Sequence, residues 1–484
     1  MIKTHFASNA AAFRLGLAAT AGTVLTGAAP ANASIGASST QIAQPRDPET
    51  GPKTGQLFSS DPYPESNLWS LPVKRTVSAT SLSEFGVSTS DVPIAGFCAH
   101  AFGGVLEQFE RNFADRGETG AAVAVWVDDE LVVNLWGGSA DAAGTRPWQH
   151  NTLATVLSGT KGLTATCVHQ LADRGELDLH APIAHYWPEF GQAGKDAITL
   201  AMVMSHRSGV IGPRTPISWE KVADWDFVCE QLALAEPWWE PGTAQGYHMT
   251  TFGFIVGEVF RRVTGRTIGQ YLRTEIAAPL GADIHIGLPA AEQGRCADRV
   301  NKPTARQLLA QVQAPDHPTT LAEHPKAGLA VSMGFVPDDD LDANDLQLWR
   351  QLELPGTNGQ VSALGLATFY NALAQEKLLS RRHMDLVRVS QGGFDTDLVL
   401  GPRVADHGWG LGYMLNQRGI NGPNPGIFGH GGLGGSFGFV DLEHRIGYAY
   451  VANRFDATKA NADPRSLALS KEVYAALDVT PACN

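Results

Sequence analysis

Ser158 and Lys161 stand three residues apart in the run Ser158-Gly159-Thr160-Lys161, just before a segment with helical apolar spacing at residues 162–174. Because residues three apart share one face of a helix, the Lys161 ammonium is expected beside the Ser158 hydroxyl. A lysine whose pKa is lowered by burial can take the proton from a serine and make it a nucleophile. The pair therefore indicates acyl transfer through Ser158. The alternative is a helix-capping serine followed by a solvated lysine.

Tyr247 is the candidate proton relay for this pair. It lies in a loop punctuated by glycine and proline, just before a helical segment at residues 253–264. A phenol placed between Lys161 and Ser158 could pass a proton to a leaving alcohol. The alternative is a tyrosine packed in the core.

The run Gly429-His430-Gly431-Gly432-Leu433-Gly434-Gly435-Ser436 is rich in glycine. Glycines let a backbone approach a ligand closely, so we expect His430, Gly431 and Gly432 to contact the substrate. The Leu433 N–H would be a second oxyanion donor beside the Ser158 N–H. The alternative is a glycine-rich turn with no role in binding.

Taken in this order, Ser158-x-x-Lys161, Tyr247 and His430-Gly431-Gly432 resemble the motifs of the serine β-lactamase and penicillin-binding protein superfamily. The resemblance extends over residues 93–477 and includes Met204-Ser205-His206-Arg207-Ser208-Gly209. It implies an α+β fold in which both ends of the chain form one antiparallel sheet, flanked by helices and interrupted by an inserted helical domain. It also implies that Ser158 is acylated and that Lys161 and Tyr247 serve as general base and relay.

Two positions depart from the class C β-lactamases within that superfamily. Those enzymes carry Tyr-x-Asn at the second motif, where this chain has Tyr247-His248-Met249, and their third motif begins with lysine, where this chain has His430. Both departures resemble the family VIII carboxylesterases, which favour small or short-chain esters. We therefore expect a serine carboxylesterase. The alternatives are a β-lactamase, a D-amino-acid peptidase or amidase, and a sensor or scaffold without turnover.

The run Gly434-Gly435-Ser436-Phe437-Gly438 also matches G-x-S-x-G, the nucleophile elbow of α/β-hydrolases. That motif needs a helix after the serine, and then an acid and a histidine on separate loops. Here a strand is expected after Ser436, and the one histidine beyond it, His444, lies three residues after Asp441. The context therefore argues against the elbow.

The pattern of apolar residues predicts the elements that position these groups. The motif Asp128-Asp129-Glu130 separates two β-branched segments and predicts a hairpin. We expect an α/β part at about residues 93–176 and 375–480, with the helical insertion at about 177–374. The predicted helices are residues 101–116, 162–174, 222–234, 253–264, 361–374 and 465–477, and the predicted strands are 121–127, 131–136, 409–416, 435–442 and 446–453.

Residues 1–33 have the features of an export signal. Lys3 and Arg14 precede an apolar run at residues 15–29, and Ala31-Asn32-Ala33 provides a small-residue cleavage site. The run is too short to favour a stable membrane span. We expect a secreted or periplasmic protein, with an organellar or cytoplasmic location as the alternative. Residues 34–92, rich in serine and proline, predict a linker or arm.

The overall composition limits the partners. The net charge is −13 and no basic patch stands out, so nucleic acid is not an expected partner. No H-E-x-x-H motif or clustered metal-ligand set occurs, and the five scattered cysteines form no C-x-x-C pair. We expect a small-molecule ester or amide substrate and no metal or cofactor. The oligomeric state stays open.

Overall fold

The computed structural model describes residues 92–479, except 215–216, 303–342, 393, 395, 402–407, 418 and 456–462. The predicted export signal and nearly all of the predicted linker lie outside these residues. The strands are β1 Ile94–Cys98, β2 Gly120–Val127, β3 Glu130–Gly138, β4 Ala154–Thr155, β5 Ile284–His285, β6 Gln360–Val361, β7 Gly408–Trp409, β8 Met414–Leu415, β9 Phe428–Gly431, β10 Phe437–Asp441 and β11 Ile446–Ala452.

Helices are distributed along the rest of the described chain, and a π-helical turn, Leu272–Ala277, separates two of them. They are α1 Gly103–Asp115, α2 Thr160–Asp173, α3 Ile183–Tyr186, α4 Leu200–Met204, α5 Trp219–Val222, α6 Trp225–Leu234, α7 Thr251–Thr264, α8 Ile268–Tyr271, α9 Ala278–Leu280, α10 Ala343–Gln351, α11 Ala363–Ala374, α12 Arg381–Val387 and α13 Pro464–Ala476. Within the described residues, no helix is both long and apolar enough to cross a membrane.

Among the described residues, eight strands form one antiparallel sheet in the order β1-β3-β2-β11-β10-β9-β8-β7. Strands from the two ends of the chain meet at its centre, where Val123 of β2 lies opposite Tyr450 of β11. The predicted α+β fold, with a sheet built from both ends, is confirmed. The β2–β3 turn is also as predicted, because Asp128 and Asp129 both have positive φ, as a tight hairpin turn requires.

Helices cover both faces of this sheet. Because side chains alternate along a strand, Val123 and Val125 join one apolar cluster with α1 and α13, while Ala122 and Ala124 join another with α2 and α11. Helix α11 packs across β2, β10 and β11. Its close approach depends on Gly447, where a Cβ atom would lie 2.4 Å from the Asn371 backbone nitrogen.

A small three-stranded sheet, in the order β4-β6-β5, was not predicted from the sequence. Its strands have two residues each, which is too few for a periodic signal, and their partners lie far apart in the chain. Strand β4 matters for the site because it ends directly before the segment that carries Ser158.

Two predicted elements were wrong in detail. Residues 222–234 form the end of α5 and the separate helix α6, because Asp224 caps α6 by accepting from the Phe227 N–H (3.1 Å). Residues 409–416 are not one strand. A turn, in which the Gly410 N–H donates to the Tyr413 carbonyl (2.9 Å), divides them between β7 and β8.

The four cysteines in the described part of the chain, Cys98, Cys167, Cys229 and Cys296, are buried free thiols. Burial raises the pKa of each thiol. They therefore behave as small apolar side chains of the core.

His169, fully buried on α2, links the stability of the fold to pH. Its Nε2–H donates to the Leu411 carbonyl (2.7 Å), and its Nδ1 lies 3.1 Å from Nε2 of His383. Burial lowers the pKa of His169 to about 3, whereas the unfolded imidazole titrates near 6.5. Below pH 6.5 the His169 imidazole therefore binds a proton in the unfolded state but not in the folded state. The free energy of unfolding falls as the pH drops below 6.5.

The free energy of unfolding of the wild type should fall between about pH 7 and pH 5. We expect the change His169→Gln to make this fall smaller by about 2 kcal/mol. Urea denaturation at the two pH values measures this difference. The change His100→Gln, at an exposed position, is the control. An equal pH dependence in the wild type and the His169 variant would contradict the assignment.

Candidate active site

Ser158 lies in a 3-10 turn, Leu157–Gly159, between β4 and α2. The sequence placed it at the start of the helix, but α2 begins two residues later, at Thr160. Leu157 has a φ of +42°, in the left-handed region that leucine seldom adopts. The Thr160 hydroxyl donates to the Leu157 carbonyl (2.5 Å), which fixes this turn and leaves the Ser158 side chain half-buried.

Lys161 is fully buried, and its amine contacts three oxygen atoms. Nζ lies 3.3 Å from Ser158 Oγ, 2.7 Å from the Met249 carbonyl oxygen and 2.8 Å from the Gly356 carbonyl oxygen. Burial lowers the pKa of Lys161 well below its usual value of 10.5. A neutral amine has two N–H groups and one lone pair, so the two carbonyls can accept both N–H groups while the lone pair faces the serine hydroxyl.

The two carbonyls come from segments that α7 holds together. Met249 lies two residues before α7, and Gly253 in the first turn of α7 packs against Gly356. A Cβ atom at Gly253 would lie 2.5 Å from the Gly356 backbone nitrogen, so this contact requires glycine. Gly356 was not identified from the sequence, because no local pattern connects it with Lys161.

Tyr247 is buried beside the same pair. Its hydroxyl forms a hydrogen bond with Ser158, and Lys161 Nζ lies 4.8 Å from the centre of its ring. The ring stacks on Trp409 at 5.2 Å and contacts His206 at 4.6 Å. Burial raises the pKa of Tyr247 above its usual value of 10, although the hydrogen bond with Ser158 opposes this. Near neutral pH the phenol therefore keeps its proton.

Asp397 fixes the backbone of Tyr247 and was missed by the sequence analysis. Its Oδ1 accepts from the N–H groups of Tyr247 (3.0 Å), Val399 (2.8 Å) and Leu400 (2.9 Å). Burial raises the pKa of this carboxyl, and the three hydrogen bonds lower it. The contact joins residues 150 positions apart, so no motif spacing could have revealed it.

The glycine-rich run forms β9 and the turn that follows it, and this turn touches the serine. A Cβ atom at Gly432 would lie 2.0 Å from the Val156 carbonyl oxygen and 3.3 Å from the Ser158 backbone nitrogen. The Gly435 N–H donates to the Gly432 carbonyl (3.1 Å). Since C=O and N–H of a trans peptide point in opposite directions, the Leu433 N–H points out of the turn.

Neither the Ser158 N–H nor the Leu433 N–H has a hydrogen-bond acceptor among the described residues. Both predicted oxyanion donors therefore lie on segments in mutual contact at the serine, with their hydrogen-bonding capacity unused. Their role in binding an oxyanion stays a prediction.

His430, on β9, packs against the helix that follows the serine. Its Nδ1 lies 2.7 Å from the Gly431 carbonyl oxygen, and its ring lies 5.9 Å from that of Trp409. A Cβ atom at Gly162 of α2 would lie 3.4 Å from the His430 Cβ. Gly431 pairs with Phe437 across the sheet. The structure thus brings the predicted binding run to the serine, while contacts of these residues with a substrate remain predicted.

The geometry excludes the α/β-hydrolase elbow. Asp441 and His444 do pair, with 2.8 Å between Oδ2 and Nδ1. However, Ser436 precedes the five-residue strand β10 that ends at Asp441, which separates the two by about 16 Å. Ser436 is buried, and its Oγ accepts from the Ala452 N–H (3.3 Å).

The sheet built from both chain ends and the Ser158–Lys161–Tyr247 site define a protein of the β-lactamase and penicillin-binding class. The Beta-lactamase family matches residues 106–471, and this chain belongs to that family. Among curated relatives, Esterase/beta-lactamase LipL of Mycobacterium tuberculosis is 34% identical over 393 residues, which cover 78% of this chain and 87% of LipL.

Two further relatives are similar over comparable lengths. Esterase EstB of Burkholderia gladioli is 25% identical, over 76% of this chain and 93% of EstB. A solved structure of a family VIII carboxylesterase superposes with a TM-score of 0.69 at 39% identity, and covers 79% of this chain and 100% of its own. Together these relatives support a serine hydrolase and leave its substrate open.

The contact between Gly432 and the serine turn can be tested with the change Gly432→Ala. The added Cβ atom would lie 2.0 Å from the Val156 oxygen, so the turn must move away from Ser158. A displacement of about 1 Å at a reacting centre lowers the rate by about 100-fold, which we expect for p-nitrophenyl acetate hydrolysis.

The matched control is Gly294→Ala, because nothing lies within 4 Å of a Cβ atom at Gly294. Circular dichroism would verify that both variants fold. Wild-type turnover by a folded Gly432 variant would show that the turn does not need to approach the serine so closely.

Proposed function

We propose that this protein is a carboxylesterase that cleaves small or short-chain esters through a covalent acyl-enzyme on Ser158. The observation that carries the proposal is the contact of the Lys161 amine with Ser158 Oγ at 3.3 Å, while two carbonyls accept its other hydrogen bonds. This arrangement keeps an uncharged base directed at the nucleophile without a histidine.

In the acylation step, the neutral Lys161 amine takes the proton of Ser158 as Oγ attacks the ester carbonyl carbon. The N–H groups of Ser158 and Leu433 bind the oxyanion. When the tetrahedral intermediate collapses, the C–O bond to the alcohol breaks. Tyr247 donates its proton to the departing oxygen and regains one from the Lys161 ammonium.

Deacylation follows the same route in reverse. A water molecule attacks the Ser158 ester, and its proton passes to Lys161 directly or through Tyr247. The acyl C–O bond breaks, and Ser158 Oγ recovers its proton from Lys161. The products are one acid and one alcohol, and each residue returns to its starting protonation state.

The residue type at position 249 supports esters rather than lactams as substrates. Met249 occupies the position where class C β-lactamases carry the asparagine of Tyr-x-Asn, and here its carbonyl binds Lys161 while its side chain packs in an apolar cluster. No side-chain amide stands at this position to bind an acylamino group. With His430 in place of the lysine of the third motif, the two departures support the esterase.

β-Lactam or D-amino-acid amide hydrolysis is the second candidate, because one relative is named both esterase and beta-lactamase. The sensor or scaffold alternative would give an acyl-enzyme that does not turn over. Parallel assays with p-nitrophenyl acetate, nitrocefin and a D-alanyl peptide separate these possibilities.

The change Ser158→Ala should lower kcat for p-nitrophenyl acetate by about 10³-fold or more, because the nucleophile is lost. A fluorophosphonate should label the wild type at Ser158 and leave the variant unlabelled. The exposed Ser390, changed to Ala, is the control and should keep full activity.

Each assay has an outcome that would reject the esterase. A kcat/KM larger on nitrocefin or the peptide than on the ester would reassign the substrate. Stable labelling with no ester turnover would favour the sensor. Full activity of the Ser158 variant would remove the proposed mechanism altogether.

The pH profile reports the two titrating groups. Activity requires neutral Lys161, so kcat/KM should rise with pH as the ammonium deprotonates, and this rise should be complete well below pH 10.5 because burial lowers the pKa of Lys161. Activity also requires the Tyr247 proton, so the alkaline fall should lie above pH 10, in the direction in which burial shifts the pKa of Tyr247.

Lys161→Arg should be inactive across this range, because a guanidinium keeps its proton. Tyr247→Phe should lower kcat by about 10²-fold or more and lose the alkaline fall. A Lys161 variant could retain activity with the same rise of kcat/KM at acidic pH as the wild type. That result would show that another group is the base.

A further inference from the structure

A buried ionic network lies behind the Gly432–Ser436 turn. It consists of Arg465, Asp463 and Glu118, which are 3%, 5% and 8% exposed. The Arg465 guanidinium donates from Nη1 to Glu118 Oε1 (2.9 Å), from Nε to Asp463 Oδ1 (3.0 Å) and from Nη2 to Asp463 Oδ2 (2.7 Å). Tyr450 donates its hydroxyl to the other oxygen of Glu118. We call these three charged residues the Arg465 network.

The Arg465 network contacts the turn at two successive residues. Arg465 Nη2 donates to the Gly434 carbonyl at 3.1 Å, and a Cβ atom at Gly435 would lie 2.2 Å from Asp463 Oδ2. Gly434 and Gly435 have φ values of +101° and +96°, a region that side-chain-bearing residues rarely occupy. The back of the turn is therefore in direct contact with fixed charged groups.

The front of the same turn touches the serine. Gly432 packs on Val156 and Ser158, and Leu433 lies between this contact and the Gly434 carbonyl that Arg465 holds. The Arg465 network and the serine turn thus contact the turn from opposite sides. Together they determine where the Leu433 N–H points.

Only arginine can make this set of contacts. Its planar guanidinium directs five N–H donors in a rigid fork, and here those donors reach two carboxylates and the carbonyls of Gly434 and Arg454 (3.0 Å). A lysine ammonium would preserve the charge but has three donors on a flexible stem. It could not hold the Gly434 carbonyl and both carboxylates in this geometry.

We propose that Arg465 is a positioning residue for acyl transfer, which sets the Leu433 N–H against the oxyanion through the Gly434 carbonyl. This inference rests on the proposed esterase function. An oxyanion donor acts mainly in the transition state, so loss of its alignment lowers kcat and leaves KM nearly unchanged. Arg465 itself touches no substrate.

The test is Arg465→Lys in the full chain, assayed with p-nitrophenyl acetate. We expect kcat to fall by about 10-fold to 100-fold, at the lower end of the effect of removing an oxyanion donor. KM should change by less than about 3-fold if binding in the ground state is unaffected. The acid limb of the pH profile should stay in place, because the variant does not touch Lys161.

Glu258→Gln is the matched control. Glu258 is 1% exposed and binds Arg261 (2.8 Å) and Arg262 (2.7 Å) on α7, away from the turn. It should lower thermal stability and leave kcat at the wild-type value.

Asp463→Asn gives a second, milder variant that keeps the cap of α13. It should lower kcat in the same direction, and it decides the question if the lysine variant does not fold.

Three results would overturn the inference. The first is an Arg465→Lys kcat within about 2-fold of the wild type while Ser158→Ala is inactive, which leaves the esterase function intact. The second is a parallel change in kcat and KM, or a shifted acid limb. The third is an equal loss of kcat in the Glu258 control, which would indicate general destabilisation. If Ser158→Ala stays active, the proposed function and this inference both fail.

Discussion

Removal of the Lys161 amine from water is the constraint on which the rest of the site depends. An ammonium group without solvent loses its hydration, so the neutral amine becomes the favoured form. Burial alone would leave an amine with no fixed direction. The carbonyls of Met249 and Gly356 supply that direction, because they accept both N–H groups and leave the lone pair for Ser158. In the proposed mechanism, the helical middle of the chain is therefore the part that makes Lys161 a base.

The two structural parts of the chain contribute different halves of the chemistry. In the proposed mechanism, the middle region supplies Tyr247 and the carbonyls of Met249 and Gly356. These carbonyls hold the amine of Lys161, which itself lies on α2 beside the serine. The sheet supplies the turn after β9, with the Leu433 N–H. Ser158 lies where these halves meet, on a turn strained at Leu157. Strain at a residue next to a nucleophile is often retained where function requires that geometry.

The sequence predicted the secondary-structure elements that have a local periodic pattern and the site residues that belong to an ordered set of motifs. The spacing of Ser158 and Lys161 placed them together, and the motif Asp128-Asp129-Glu130 predicted the β2–β3 hairpin. The sequence analysis did not identify Gly356, Asp397 or Arg465. Each makes a contact that involves the backbone of a residue distant in sequence, which no local pattern reveals. The strand predicted at 409–416 was wrong because a turn at Gly410–Tyr413 left only two residues for each strand, too few for an alternating pattern to show.

The pairing of β2 with β11 has a consequence for biosynthesis. Val123 lies opposite Tyr450, so the centre of the sheet cannot close until about 300 further residues have left the ribosome, a long-range contact of the kind that slows folding. A nascent chain already contains the serine and its lysine but lacks the strand that brings in the turn after β9, with the Leu433 N–H. The proposed active site is thus incomplete in the unfinished polypeptide until β9 to β11 have been synthesised.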